Sequence, residues 1–300
     1  MQSSKIQTNL LQIILPKITR TREQLLHSIS QNKPKSSLYL LYSEFFLRAK
    51  HNYDYATILL ESELIAVDGK GVLWALNRVR VSSIKDFYIL NYLLNYIFGV
   101  ISAIWSTLSK AKYSHSVQNI LGRDLVYDIM NIANQKSWKV IIVGANLQLA
   151  QKNLMLKYPN CSVFCHSFNV DSKMMKDGLD FGRLNRKNLL EIMPDLLVAR
   201  NLIADQMPDL VLVCLGGTSG KQEFFIDNLK QDSSVSFGLA VGLGAALDHF
   251  GGGKNQKPAP TWIQTIGLES LWRIFAVPRR TKRILDSVFG LIEYVVKSAG

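Results

Sequence analysis

Residues 208–228 read PDLVLVCLGGTSGKQEFFIDN, and the parsing of this stretch decides the fold. PDLVLVCLGG reads as a strand running into a glycine-rich loop, and KQEFFIDNLKQ reads as the helix that follows. The same alternation extends outward in both directions. WKVIIVGAN (138–146) is a strand ending in a glycine turn, and LQLAQKNLMLKYP is a helix that stops before Pro159. CSVFCHSF is a further strand, a helix is expected near 184–204, and SFGLAVGLGAALD is a strand and turn. LGRDLVYDIMNIANQ is a helix opened by a glycine. Upstream, SSLYLLY (36–42) reads as a short buried strand between helices at 24–31 and 43–63. YATILLESELIAVDGKG is expected to pass from helix into a turn at Asp68-Gly69. Strands alternating with helices imply an α/β, Rossmann-like, mostly parallel sheet with helices on both faces.

Composition narrows the partners. Of 300 residues, 48% are hydrophobic and 19% charged, enough apolar material for a real core. The net charge of +12 favours anionic ligands such as nucleotide phosphates, nucleic acid or an acidic leaflet. The three cysteines, Cys161, Cys165 and Cys214, form no disulfide framework and suit a reducing compartment. Cys161, Cys165 and His166 lie close in sequence, but no second ligand pair completes a tetrahedral set. They are read as part of a strand, with no metal and no cofactor expected. The N-terminus lacks a signal-peptide layout, since Pro16 and Lys17 interrupt its short apolar stretch.

Two segments stand apart. Residues 87–108, FYILNYLLNYIFGVISAIWSTL, carry no charge and are rich in tyrosine, a pattern for an interfacial or re-entrant membrane segment. A buried or oligomer-facing helix and a true membrane span are the alternatives, so a homo-oligomer stays open. Beyond a flexible break at 251–261 lies a C-terminal arm. From Arg273 onward, Arg273, Arg279, Arg280, Lys282, Arg283 and Lys297 oppose only Asp286 and Glu293. Ile284, Leu285, Val288, Phe289, Ile292, Val295 and Val296 recur at helical spacing, as on a surface-bound membrane helix. Docking of this helix on its own domain is the competing expectation. With the basic residues concentrated in an arm and no aromatic-studded groove, a nucleic-acid partner is not expected. The organisation read from the sequence is therefore 1–250 as the Rossmann-like domain, with an apolar insertion at about 84–116, and 251–300 as a basic amphipathic arm.

In an open parallel sheet, ligands bind beyond the carboxyl ends of the strands. Three loops there carry suggestive residues: Asp68 and Gly69; Gly144 to Asn146; and Gly216 to Glu223. The last is not a Walker loop, because Gln222 follows Lys221. It is read as an anion or sugar-nucleotide cradle. Asp248, in GLGAALDHFGG, can bind a sugar hydroxyl or cap the next element.

Taken in order, these motifs resemble the WecG/TagA/CpsF glycosyltransferases. IAVDGKGVLWA (65–75) is similar to their aspartate-glycine motif, and LGRDLVYDI to their Gly-x-Asp-Leu helix. KVIIVGAN with KYPNCSV, PDLVLVCLGGTSGKQEFFIDN, GLGAALDHFGG and PAPTWIQTIGLESLWRIFAVPRRTKR follow colinearly, so the resemblance covers roughly residues 36–285. It implies an inverting transfer of an N-acetylmannosamine-like sugar from UDP to a polyprenyl-diphosphate-linked sugar, on the cytoplasmic face of the plasma membrane. Asp68 would be the general base. Gly69, Asn119, Gly144, Gly216, Gln222, Glu223 and Asp248 would line the substrates. Arg273, Arg279, Arg280 and Arg283 would meet diphosphate and membrane together. The chain departs from the pattern at Leu40 and Tyr42, where the family has Thr-x-Asn, and at Asn119, where it has arginine. Those departures leave room for a non-catalytic, nucleotide-sugar-binding member.

Overall fold

The computed structural model describes residues 10, 13–81, 117–168, 185–216, 220–244, 246–250, 260 and 281–298. Six strands form one sheet: β1 (Ser36–Leu41), β2 (Leu64–Val67), β3 (Lys139–Ala145), β4 (Ser162–Phe168), β5 (Leu210–Cys214) and β6 (Leu239–Gly242). Their order is β2-β1-β6-β5-β3-β4, and every pairing is parallel. The helices are α1 (Arg22–Ser30), α2 (Ser43–His51), α3 (Tyr53–Leu60), α4 (Lys70–Val81), α5 (Gly122–Gln135), α6 (Gln148–Lys157), α7 (Leu189–Ile192), α8 (Asp195–Gln206), α9 (Lys221–Gln231) and α10 (Thr281–Ser298). The Rossmann-like expectation is met.

Alternation along the strands divides the apolar residues between two cores. Tyr39, Leu41, Ile65, Val67, Ile141, Val143, Val211 and Val213 pack with α2, α3, α4, α8, α9 and α10. Leu38, Leu40, Ala66, Val140, Ile142, Leu210, Leu212 and Val241 pack with α1, α5 and α6 on the other face. Central strands covered on both faces must be apolar throughout, which is why VIIV and LVLV read as uninterrupted runs.

The sequence reading needs correction at three places. The stretch expected to pass from helix directly into a turn before Asp68 holds a separate strand, β2. Four apolar residues are too few for a period of two to declare itself, and α3 ends only a few residues earlier with an equally apolar run. The helical stretch 43–63 is two helices, parted at Asn52, whose side chain accepts from the Tyr55 N–H at 3.0 Å and so caps α3. The helix expected near 184–204 is α7 and α8, divided at Met193-Pro194, since proline donates no backbone hydrogen bond.

Gly144 explains the closeness of β3 and β5. A Cβ added there would lie 2.7 Å from the Cys214 carbonyl oxygen and 3.0 Å from its Cβ. Backbone cannot yield as a flexible side chain does. Gly144→Ala is therefore expected to cost about 1–3 kcal/mol through strand displacement, read as a lowered denaturation midpoint.

Helix α10 docks on its own domain, packing against α2 and α4. Leu291, Ile292, Tyr294 and Val295 are buried, and the rings of Phe46 and Tyr294 lie 5.5 Å apart. Lys50 and Glu293 pair at 3.1 Å. Ile292 and Val295, expected on a membrane face, thus face the protein. Leu285, Val288 and Phe289 remain on the surface. Among the described residues no helix is long and apolar enough to cross a membrane, and the apolar segment 87–108 lies outside them.

Candidate active site

All six carboxyl ends point to one rim of the sheet, because all six strands are parallel. The connection after β3 leads outward to β4, while that after β5 leads the other way to β6. Neighbouring strands whose connections diverge open a crevice between their loops. Gly216, with φ +72°, stands at that point. Gly144 lies beside it, buried within β3 as a packing residue.

Asp68 caps the other end of the same rim. It follows β2, and its backbone N–H donates to Leu41 O at 2.9 Å. Gly69 turns the chain with φ +119°, a conformation that favours glycine, and α4 begins immediately after it. The Gly69 N–H donates to Asn119 Oδ1 at 2.6 Å. Asn119 is itself fixed by a parallel bridge to Val67, and the Ile120 N–H donates to Val67 O at 2.7 Å. Where the resemblance has an arginine, this chain has a carboxamide that braces the aspartate-glycine turn.

The N-terminus of α5 faces the Asp68 carboxylate. The Gly122 N–H lies 3.4 Å from Asp68 Oδ2, where the positive end of the helix dipole favours an ionised carboxylate. A glycine keeps this approach open without any shift of Leu40. A Cβ at Gly122 would stand 2.8 Å from Leu40 Cδ1, 3.6 Å from Asp68 Oδ2 and 3.7 Å from Ala246 Cβ. Leu40 therefore supplies an apolar wall where the family pattern has a threonine. The loop after β6 reaches the same spot through Ala246, in a short 3-10 turn, Ala246–His249. Asp248 belongs to that turn, and its side chain lies outside the described residues.

Between these two ends lies the start of α9. Gly220, with φ +74°, precedes it, and the Tyr55 ring fills the space a Cβ would occupy. Gln222 is 3% exposed and Glu223 fully buried. The Gln222 amide nitrogen donates to Glu223 Oε1 at 2.7 Å, and its oxygen accepts from the Gly244 N–H at 2.8 Å. Glu223 sits near Arg48, which pairs with Glu44 at 2.7 Å. Burial pushes the Glu223 carboxyl above the usual range, and Arg48 opposes that shift. Burial also lowers the ammonium of Lys221. The Cys161 thiol is pushed up to about 11 by burial, so it stays protonated and inert at neutral pH.

Of the residues singled out from sequence, Asp68, Gly69 and Asn119 come together. Gln222 and Glu223 adjoin them through the β6 loop, and Gly144 and Gly216 lie at the β3–β5 crevice. Arg273, Arg279 and Arg280 lie outside the described residues, as does the side chain of Arg283, whose backbone belongs to α10. Sequence reasoning read Gly122 only as the opening of a helix and passed over Gly244 and Arg48 as site residues. An arginine inside the apolar run FFLRA was the available signal for the last.

The chain is similar to known proteins over much of this architecture. Residues 94–299 match the model described as the glycosyl transferase WecG/TagA/CpsF family. Asn119, the β3–β6 loops and α10 fall inside that match, and Asp68 precedes it. A curated relative from Bacillus subtilis (strain 168), N-acetylglucosaminyldiphosphoundecaprenol N-acetyl-beta-D-mannosaminyltransferase, is 28% identical over 182 residues. That alignment spans 60% of this chain and 60% of the relative's length. The parallel sheet, its single rim of loops and the matched majority of the sequence agree, and the chain belongs to the WecG/TagA/CpsF family of glycosyl transferases.

Proposed function

We propose that this protein transfers a sugar related to N-acetylmannosamine from a UDP donor to a sugar linked to polyprenyl diphosphate. The carrying observation is the setting of Asp68, a carboxylate at a strand end, faced by the α5 N-terminus and the β6 loop. The Bacillus relative is named for a transfer of that kind. A sugar hydroxyl is a weak nucleophile until a carboxylate takes its proton in the transition state. Asp68 accepts that proton as the hydroxyl oxygen bonds to the donor C1, the C1–O bond to UDP breaks, and configuration inverts. The crevice at β3 and β5 takes the nucleotide and diphosphate, near Gly216. From β5 to β2 the rim spans roughly 14 Å, three strand spacings of about 4.8 Å. That is the order of length of an extended sugar nucleotide, which supports seating the reacting sugar near Asp68.

The departing diphosphate needs positive charge, and the arm carrying Arg273, Arg279, Arg280 and Arg283 would supply it while meeting anionic lipid. The exposed Leu285, Val288 and Phe289 on α10 fit a peripheral, membrane-surface location on the cytoplasmic side. A second reading, a member that binds a nucleotide sugar without turnover, is favoured by one observation. Asn119 is engaged in bracing Gly69, at a position where the family pattern has arginine.

The deciding assay supplies radiolabelled UDP-N-acetylmannosamine, UDP-N-acetylglucosamine and UDP-glucose to a polyprenyl-diphosphate-N-acetylglucosamine analogue. Turnover is expected with the first donor. UDP-sugar binding with no transfer from any donor would favour the non-catalytic reading. No binding of any UDP-sugar would overturn both.

A further inference from the structure

Both ends of the Gln222 amide are engaged inside the protein. Its nitrogen donates to Glu223 and its oxygen accepts from the Gly244 N–H, with the side chain almost wholly buried. Gly242, beside Gly244, leaves room for this: a Cβ there would stand 3.1 Å from the amide nitrogen. Gly244 has φ +56° and starts the turn that brings Ala246 against Gly122, whose N–H lies 3.4 Å from Asp68 Oδ2. The amide is held from behind. Glu223 is fully buried, and among the described residues its Oε2 has no hydrogen-bond partner. Arg48, also buried, balances its charge.

We infer that Gln222 and Glu223 are positioning residues, which clamp the β6 loop through Gly244 against the Asp68 site and leave the donor untouched by the Gln222 amide. This rests on the transferase reading above, in which that loop closes one side of the reacting centre. An acidic side chain beside a glutamine is then there to orient the amide. With Glu223 as an acceptor, the amide nitrogen must face it, and the amide oxygen is left facing Gly244. Turning the amide over would set oxygen against carboxylate and nitrogen against an N–H donor. A displacement of about 1 Å at a reacting centre can cost on the order of a hundredfold in rate, so a loop clamp has catalytic consequences.

The test separates a clamp from a direct contact. Gln222→Ala is expected to raise hydrogen exchange at the Gly244 amide about tenfold, the loss of one hydrogen bond. Turnover and UDP affinity should fall with it. Gln222→Glu alone crowds two carboxylates and should be worse. The double exchange, Gln222→Glu with Glu223→Gln, rebuilds both bonds, with the polarity of the 222–223 bond reversed and the Gly244 N–H still donating. The introduced carboxylate accepts both from the Gly244 N–H and from the introduced amide. The double variant is expected to recover Gly244 protection, UDP affinity and turnover to within about threefold of wild type, a coupling that independent sites do not show.

If the Gln222 amide instead touched the donor, the carboxylate would face the diphosphate. UDP affinity in the double variant would then stay as low as in Gln222→Ala, and the proposal would fall. Unchanged exchange at Gly244 in Gln222→Ala would also overturn it. Should wild type bind no UDP-sugar, the transferase reading fails, and Gly244 exchange still decides whether the clamp exists.

Discussion

Asp68→Asn is expected to lower turnover by about 10²–10⁴-fold, the range over which a positioned proton acceptor accelerates such a step. The substitution is nearly isosteric. Its carboxamide oxygen still accepts from the Gly122 N–H, which lies 3.4 Å from Oδ2 in the native protein. The Asp68 backbone bond to Leu41 O is unaffected. What disappears is the negative charge, and with it the capacity to take a proton. The lost charge–dipole interaction at the start of α5 should cost only about 0.3–1 kcal/mol. The result should therefore be a folded protein with a near-native melting curve and near-native UDP affinity, but almost no transfer. Turnover within a few-fold of wild type would remove Asp68 as the base. A large fall in UDP affinity would move it from acceptor activation to donor binding.

Much of this site was legible because its chemistry depends on local sequence. An aspartate and a glycine that turns the chain can be read together in IAVDG, whereas the four-residue strand before them is too short to show its period and was missed. The glycines could be read as turns, but not for what each one does. Gly216 and Gly244 take positive φ, whereas Gly144 is required by the close approach of the Cys214 backbone and Gly122 lies against the Leu40 side chain. Those approaches join residues far apart in the chain, and no local pattern announces them. Asn119 makes the same point. In sequence it is an arginine lost from a substrate site, and in the fold its oxygen holds the Gly69 N–H. The C-terminal helix shows the limit of periodicity. Its apolar stripe signals a face to be covered and cannot say by what. The structure covers Ile292 and Val295 with α2 and α4, and leaves Phe289 outside.

Arg48→Met is expected to destabilise the protein by about 3–5 kcal/mol, the cost of removing one partner from a buried ion pair. Arg48 is 1% exposed and lies among the rings of Tyr42, Phe45 and Tyr55, each within 6 Å of its guanidinium carbon. Methionine fills much of that volume, so the loss is chiefly electrostatic. Glu44 and Glu223 would both remain buried, with their shared cation gone. The sign of the pH dependence follows from Glu223. Its carboxyl is already raised by burial and lowered again by Arg48, so removing Arg48 raises it further. A carboxyl raised in the folded state contributes stability that is fully present below its unfolded value and is lost as pH rises through the folded one. The deficit of Arg48→Met relative to wild type should then be larger at pH 8 than at pH 5, when each is measured by chemical denaturation. Adding Glu223→Gln should recover part of the loss at pH 8 and little at pH 5. A deficit independent of pH would mean that the arginine serves by packing against the three rings, and that the charge of Glu223 is balanced by some other group.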